Sequence, residues 1–162
     1  MKLSAYVLAM AMTASTLVGC ATSPTGRNQI LLFGSDQLNA MGAQAFDGMK
    51  SETPVSKQPA QNQYVQCVAD TLLPYVPSGV YSGDWEVAVF NDDQVNAFAL
   101  PGGKIGVYTG LLKVATNQHQ LAAVIGHEIG HVIAQHGNER MSQTTLIQTG
   151  SQVANQVLAA NQ

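Results

Sequence analysis

Residues 124–133 read Val124-Ile125-Gly126-His127-Glu128-Ile129-Gly130-His131-Val132-Ile133 and contain the pattern His-Glu-x-x-His. An α-helix turns about 100° per residue, so His127 and His131 stand about 40° apart on one face, one turn from each other. Two imidazoles at that spacing can hold one Zn²⁺. Glu128 falls about 60° from His131. It is placed to take the proton of a water that the metal activates, without being a ligand itself. Leu121, Ile125, Ile129, Val132 and Ile133 project away from the histidines and form the buried stripe of an amphipathic helix. Ala123, Gly130 and Ala134 line the histidine face with small side chains, which leaves room for a metal and a substrate.

The ends of this helix are also marked. Asn117 opens it, with Gln120 three residues on as a capping box. Gly137 is expected to close it in a left-handed conformation. On one continuous helix His136 falls about 180° from His127. It is therefore expected to favour the helix C-terminus rather than the metal. His119 reads as a surface residue of the first turn.

Outward from the motif, the chain is bounded by its composition. A length of 162 residues allows one domain, and 46% hydrophobic residues suffice for a core. Charged residues are 10% and the net charge is −3, with no basic stripe, which excludes nucleic acid as a partner. Upstream, Trp85–Phe90, Val95–Leu100 and Lys104–Thr109 read as three strands, the last two joined by a Pro101-Gly102-Gly103 turn. Asn91-Asp92-Asp93 is a solvated turn, and Gly110–Ala115 a short helical segment. Two helices precede the strands. One starts at Ser35-Asp36 and carries Leu38, Met41, Ala45 and Met49 at helical spacing, until residues 51–58 break it. The other spans Gln61–Tyr75 with Val65, Val68, Leu72 and Leu73 inward. Beyond Met141 there is no charged residue, and Leu146, Gly150, Val153 and Val157 predict a weakly amphipathic helix.

The N-terminus reads as a targeting segment. Lys2 precedes a largely apolar run from Leu3 to Val18, short for a membrane span; the alternative is an ordinary signal peptide or a transmembrane helix. Leu17-Val18-Gly19-Cys20 resembles a bacterial lipobox, which implies cleavage before Cys20 and lipid on that residue. Acyl chains anchor a protein without a spanning helix. Ala21 after the cysteine resembles an outer-membrane address. The expected organisation is a signal peptide at 1–19, lipidated Cys20 with a polar tether to residue 34, and one domain over 35–162. Cys67 is left without an intrachain partner and is expected to be a small buried hydrophobe.

A metzincin is excluded, because Ala134 stands where that pattern needs Gly and Gly137 where it needs a third His. Asn96-Ala97-Phe98-Ala99-Leu100-Pro101-Gly102-Gly103-Lys104-Ile105, Thr109-Gly110-Leu111-Leu112 and the His127 motif with His136 together resemble the HtpX and Oma-type zinc endopeptidases. This is metallopeptidase family forty-eight, and the lipobox resembles its LoiP-like lipoprotein branch. The resemblance implies an α+β, zincin-like (gluzincin) domain with a small sheet beside an active-site helix. It implies His127 and His131 as Zn²⁺ ligands and Glu128 as catalytic base. It also implies that Asn96, Ala97, Phe98 and Ala99 border the cleft, where a peptide could add to a free strand edge. The implied activity is metalloendopeptidase cleavage of unfolded or misassembled envelope polypeptides by a lipid-anchored protein of the bacterial outer membrane, facing the periplasm. The family's third ligand is a Glu on a later helix. Glu139 is the only acidic residue after His131 and does not resemble it, so a C-terminally incomplete chain is expected. The competing expectation is a non-catalytic, lipid-anchored chaperone or assembly factor for outer-membrane proteins.

Overall fold

The computed structural model describes residues 19–160. The signal-peptide reading of residues 1–19 therefore lies almost wholly outside the described residues. Two short strands come first, β1 (Gly19–Thr22) and β2 (Asn28–Leu31), paired antiparallel. Helices α1 (Ser35–Glu52) and α2 (Pro59–Leu72) follow, and a 3₁₀ turn (Leu73–Tyr75) ends the second. Strands β3 (Glu86–Phe90), β4 (Ala97–Leu100) and β5 (Lys104–Tyr108) form one sheet. The chain ends in α3 (Thr109–Val114), α4 (Gln118–Ile133) and α5 (His136–Ala160). This is an α+β, zincin-like arrangement, as expected.

The sheet order is β3-β5-β4, with β5 parallel to β3 and antiparallel to β4. The β4–β5 turn works because Gly102 and Gly103 hold φ of 82° and 67°, open to glycine at little cost. A Cβ on Gly102 would also stand 2.6 Å from the Asn39 carbonyl oxygen, so α1 lies directly on this turn. Gly42 makes the reciprocal contact, its backbone pressed against Pro101. The outer edge of β3 is covered by the segment after α1: Ser56 N–H donates to the Val89 carbonyl (2.7 Å) and Asn91 N–H to that of Pro54 (2.8 Å). Among the described residues no strand covers the opposite edge, that of β4.

One core lies between α2, α4 and the sheet, built from Val65, Val68, Ala69, Val89, Ile105, Val107, Leu121, Ile125 and Ile129. A second, aromatic cluster joins Phe46 of α1 to Phe90 and Tyr108, with Phe98 packed against it. No helix among the described residues is long and apolar enough to cross a membrane.

Several expectations need correcting. The polar tether is in part the β1–β2 hairpin, and that hairpin is hydrogen-bonded to α5. Leu32 N–H donates to Ser142 Oγ (2.9 Å), and Asn138 Nδ2 donates to the Phe33 carbonyl (2.9 Å). The folded part of the described chain thus includes residues before Ser35. In α1 the buried stripe is Leu38, Gly42 and Phe46, with Met41 exposed, because close backbone approach at Gly42 sets the helix phase. Cys67 is exposed rather than buried, since Val65, Val68 and Ala69 take the inward face of α2. Gly137 does not close α4. That helix ends at Ile133, and Gln135 takes the left-handed conformation at φ 54°, so Gly137 sits in the first turn of α5. The buried face of α5 is polar (Asn138, Glu139, Ser142), while Leu146, Ile147 and Val153 are exposed. The helix docks through hydrogen bonds to the hairpin, not through the apolar repeat.

Candidate functional site

The site is built on α4. Asn117 Oδ1 accepts from the backbone N–H of His119 and Gln120 (3.1 Å each), which starts the helix where the sequence predicts. The Gln120 side chain reaches Thr116 N–H (2.8 Å), one residue before the expected capping-box partner. Leu121, Ile125 and Ile129 bury the inner face, which fixes the rotation of the helix about its axis. His127, Glu128 and His131 are thereby turned outward together. Their ligand atoms all lie within 4.8 Å of one another, with His127 exposed and the other two half-buried. The two imidazole rings are 4.5 Å apart, centroid to centroid. Two imidazoles beside a carboxylate form a donor set that suits zinc.

The helix break at Ala134–Gln135 adds a residue that helix geometry placed on the far side. His136 opens α5, and its Nδ1 lies 2.7 Å from Nδ1 of His131, with ring centroids 4.9 Å apart. The expectation that His136 stands remote from the motif is thus overturned. It assumed one unbroken helix, and the break falls at Gln135, which carries no turn signature.

Glu139 stays out of the His127–Glu128–His131 cluster. Arg27 holds it in a two-pronged ion pair, one arm being Arg27 Nη2 to Oε2 at 2.6 Å. Gln29 Nε2 donates to Glu139 Oε2 (3.3 Å) and to the Ala134 carbonyl (2.8 Å), tying β2 to the α4–α5 junction. The Arg27 hydrogen bond, partly opposed by burial and aided by Gln29, holds the Glu139 carboxyl at about 2 instead of its ordinary 4.5. A carboxylate with a depressed folded pKa stabilises the fold above its unfolded pKa and loses that contribution as pH falls toward the folded value. The thermal midpoint is therefore expected to drop as pH falls from about 4.5 to about 2. Glu86, held low by hydrogen bonds from Lys104 and Lys50, adds to the same limb. Glu139→Gln should lower the midpoint at neutral pH and flatten this acid limb; an unchanged limb in a pH series of melts would deny Glu139 that role. No periodicity signals this network, because Arg27 and Glu139 are 112 residues apart.

Cys20 lies in β1, its backbone opposite Ile30. Asn96 precedes β4, and its carbonyl accepts from Tyr108 N–H (3.1 Å). Hydrogen-bonded and non-hydrogen-bonded pairs alternate along an antiparallel ladder. With Asn96 bonded to Tyr108, Phe98 and Leu100 face β5, and the N–H and C=O of Ala97 and Ala99 face the free edge. Ala99 shares a cavity of about 180 Å³ with His131, Leu38, Leu100, Val132 and Ile133. In the Asn91–Asp93 turn, Asp92 Oδ1 accepts from Gln94 N–H and Asp93 pairs with Lys113, as a solvated turn would.

Known proteins are similar to this chain in sequence. The chain is 30% identical over 129 residues to the mitochondrial metalloendopeptidase OMA1 of Bos taurus, covering 76% of this chain and 24% of that protein. It is 32% identical over 136 residues to the mitochondrial metalloendopeptidase OMA1 of Arabidopsis thaliana, covering 84% and 26%. It is 32% identical over 101 residues to the beta-barrel assembly-enhancing protease of Yersinia pestis, covering 62% and 20%. The chain thus spans about a quarter of the length of these relatives. The model of peptidase family M48 matches residues 59–162, from α2 through the sheet and the His127–His131 helix, and the chain belongs to that family of metallopeptidases.

Proposed function

We propose that this chain carries out zinc-dependent endopeptidase hydrolysis, with His127 and His131 as metal ligands and Glu128 as the general base. The observation that carries this reading is the His127–Glu128–His131 cluster on a helix that shares a cavity with the edge of β4 that no strand among the described residues covers. Zinc, when bound, polarises the scissile carbonyl and lowers the pKa of water. Glu128 accepts the proton of the attacking water and returns it to the leaving amine. The main chain of Ala97 and Ala99 pairs with an extended substrate, in the manner of strand addition. The cavity beside Ala99 takes an apolar substrate side chain against Leu38, Val132 and Ile133.

The substrates we infer are unfolded or misassembled envelope polypeptides, since an extended strand edge accepts only segments free of their own structure. The Leu17–Cys20 lipobox and the name of the beta-barrel assembly-enhancing relative support a lipid-anchored place at the outer membrane, in a LoiP-like branch. A second reading, a non-catalytic assembly factor, is favoured by one observation. A catalytic zinc takes three protein ligands, and among the described residues the cluster offers two imidazoles and the carboxylate of Glu128.

Zinc content and cleavage of a reduced, unfolded protein decide between the two. Close to one tightly held ion per chain, with cleavage abolished by a chelator, supports the peptidase. Binding of unfolded protein without zinc supports the assembly factor. Ala99→Pro removes one outward N–H without touching the ladder to β5. It is expected to raise KM about fivefold, the value of one hydrogen bond. Unchanged kinetics in a folded variant would remove strand addition from the mechanism.

A further inference from the structure

We propose that His136 is a positioning residue that fixes the His131 ring in the tautomer leaving Nε2 free to bind a metal. The inference rests on the reading of His131 as a ligand. Two nitrogens 2.7 Å apart are hydrogen-bonded, one donating and one accepting. They are too close to bind one metal together, since tetrahedral zinc with Zn–N near 2.0–2.1 Å holds its nitrogens about 3.3 Å apart. The neutral rings then have two arrangements. If His131 Nδ1 accepts, its proton sits on Nε2 and the ring has no lone pair left for a metal. If His131 Nδ1–H donates, Nε2 carries the free lone pair. Only the second is compatible with His131 as ligand, and it makes His136 Nδ1 the acceptor.

A metal-bound histidine commonly gives its other N–H to a carboxylate, a carbonyl or water, which sets its tautomer and orientation. Here that acceptor is another imidazole, and the fold supports it. Gln135 adopts the left-handed conformation, uncommon for a side-chain-bearing residue, and so turns His136 back against His131. The Gln135 side-chain oxygen accepts from Asn138 Nδ2 (3.1 Å), and Gln29 holds the Ala134 carbonyl. Arg27 clamps Glu139 one turn beyond His136. The N-terminal hairpin thereby secures the chain on both sides of His136.

The test reads the proton first and the metal second. In the metal-free chain, long-range ¹H–¹⁵N correlation spectra are expected to show His131 as the Nδ1–H tautomer. In His136→Ala, that ring should shift toward the Nε2–H form that histidine favours in water. Zinc affinity, measured by chelator competition, should weaken about 10- to 100-fold in His136→Ala. His136→Asn, whose Oδ1 can accept in place of Nδ1, should restore most of the loss and keep the Nδ1–H tautomer. Nε2–H at His131 in the unmodified chain overturns the proposal. So does unchanged affinity in His136→Ala, or a folded His136→Asn as weak as the alanine variant. An Nδ1–H His131 in a chain that takes up no zinc supports the tautomer assignment and overturns the metallopeptidase reading alone.

Discussion

Glu128→Gln is expected to keep zinc in place and to lower peptide-bond cleavage by about 10²- to 10⁴-fold, the range a positioned general base contributes. The amide has nearly the shape of the carboxylate, so packing on α4 is preserved. It cannot accept a proton from water at neutral pH, and the two imidazoles proposed as metal ligands are untouched. The loss should fall on kcat, with KM little changed, because proton transfer occurs in the chemical step and not in binding. Metal analysis alongside single-turnover cleavage checks both halves. A variant that cleaves at the parental rate moves the base elsewhere. One that loses zinc as well makes Glu128 part of the metal's own support.

Phe46→Ala should remove about 3–5 kcal/mol of folding stability, the usual cost of emptying a buried phenylalanine site. Phe46 is completely buried. It meets Phe90 edge-on at 5.8 Å and Phe98 at 6.1 Å between centroids, and Lys50 Nζ lies 5.1 Å above its ring. Such aromatic contacts add to simple area burial. A domain of this size has about 5–15 kcal/mol in total, so the variant should unfold at markedly lower urea. The consequence reaches the site, because Phe98 belongs to β4 and loses its backing. Equilibrium urea unfolding at pH 7 measures the loss. A value under about 1 kcal/mol would mean that Phe90, Phe98 and Tyr108 collapse into the space.

The helix of the motif was legible in the sequence because its signals are local. Asn117 caps it, Leu121, Ile125 and Ile129 repeat at its period, and His127, Glu128 and His131 follow from the rotation per residue. The β4–β5 hairpin was legible for the same reason, since Pro101-Gly102-Gly103 is a turn in any context. What lay beyond reach came from contacts between distant segments. Nothing in residues 86–108 dictates that β3 pairs in parallel with β5 and leaves β4 at the edge; α1 against the turn at Gly42 and Gly102, and the Pro54–Ser56 segment along β3, settle it. The break at Gln135 was equally hidden. Glutamine has no preference for a left-handed backbone, and its conformation is held by Gln29, Arg27 and Asn138 from outside the helix. The sequence by itself determined which side chains share a face. Only the tertiary structure decided that His136 comes to rest against His131, because the small cost of one strained residue is offset by hydrogen bonds formed more than a hundred positions away.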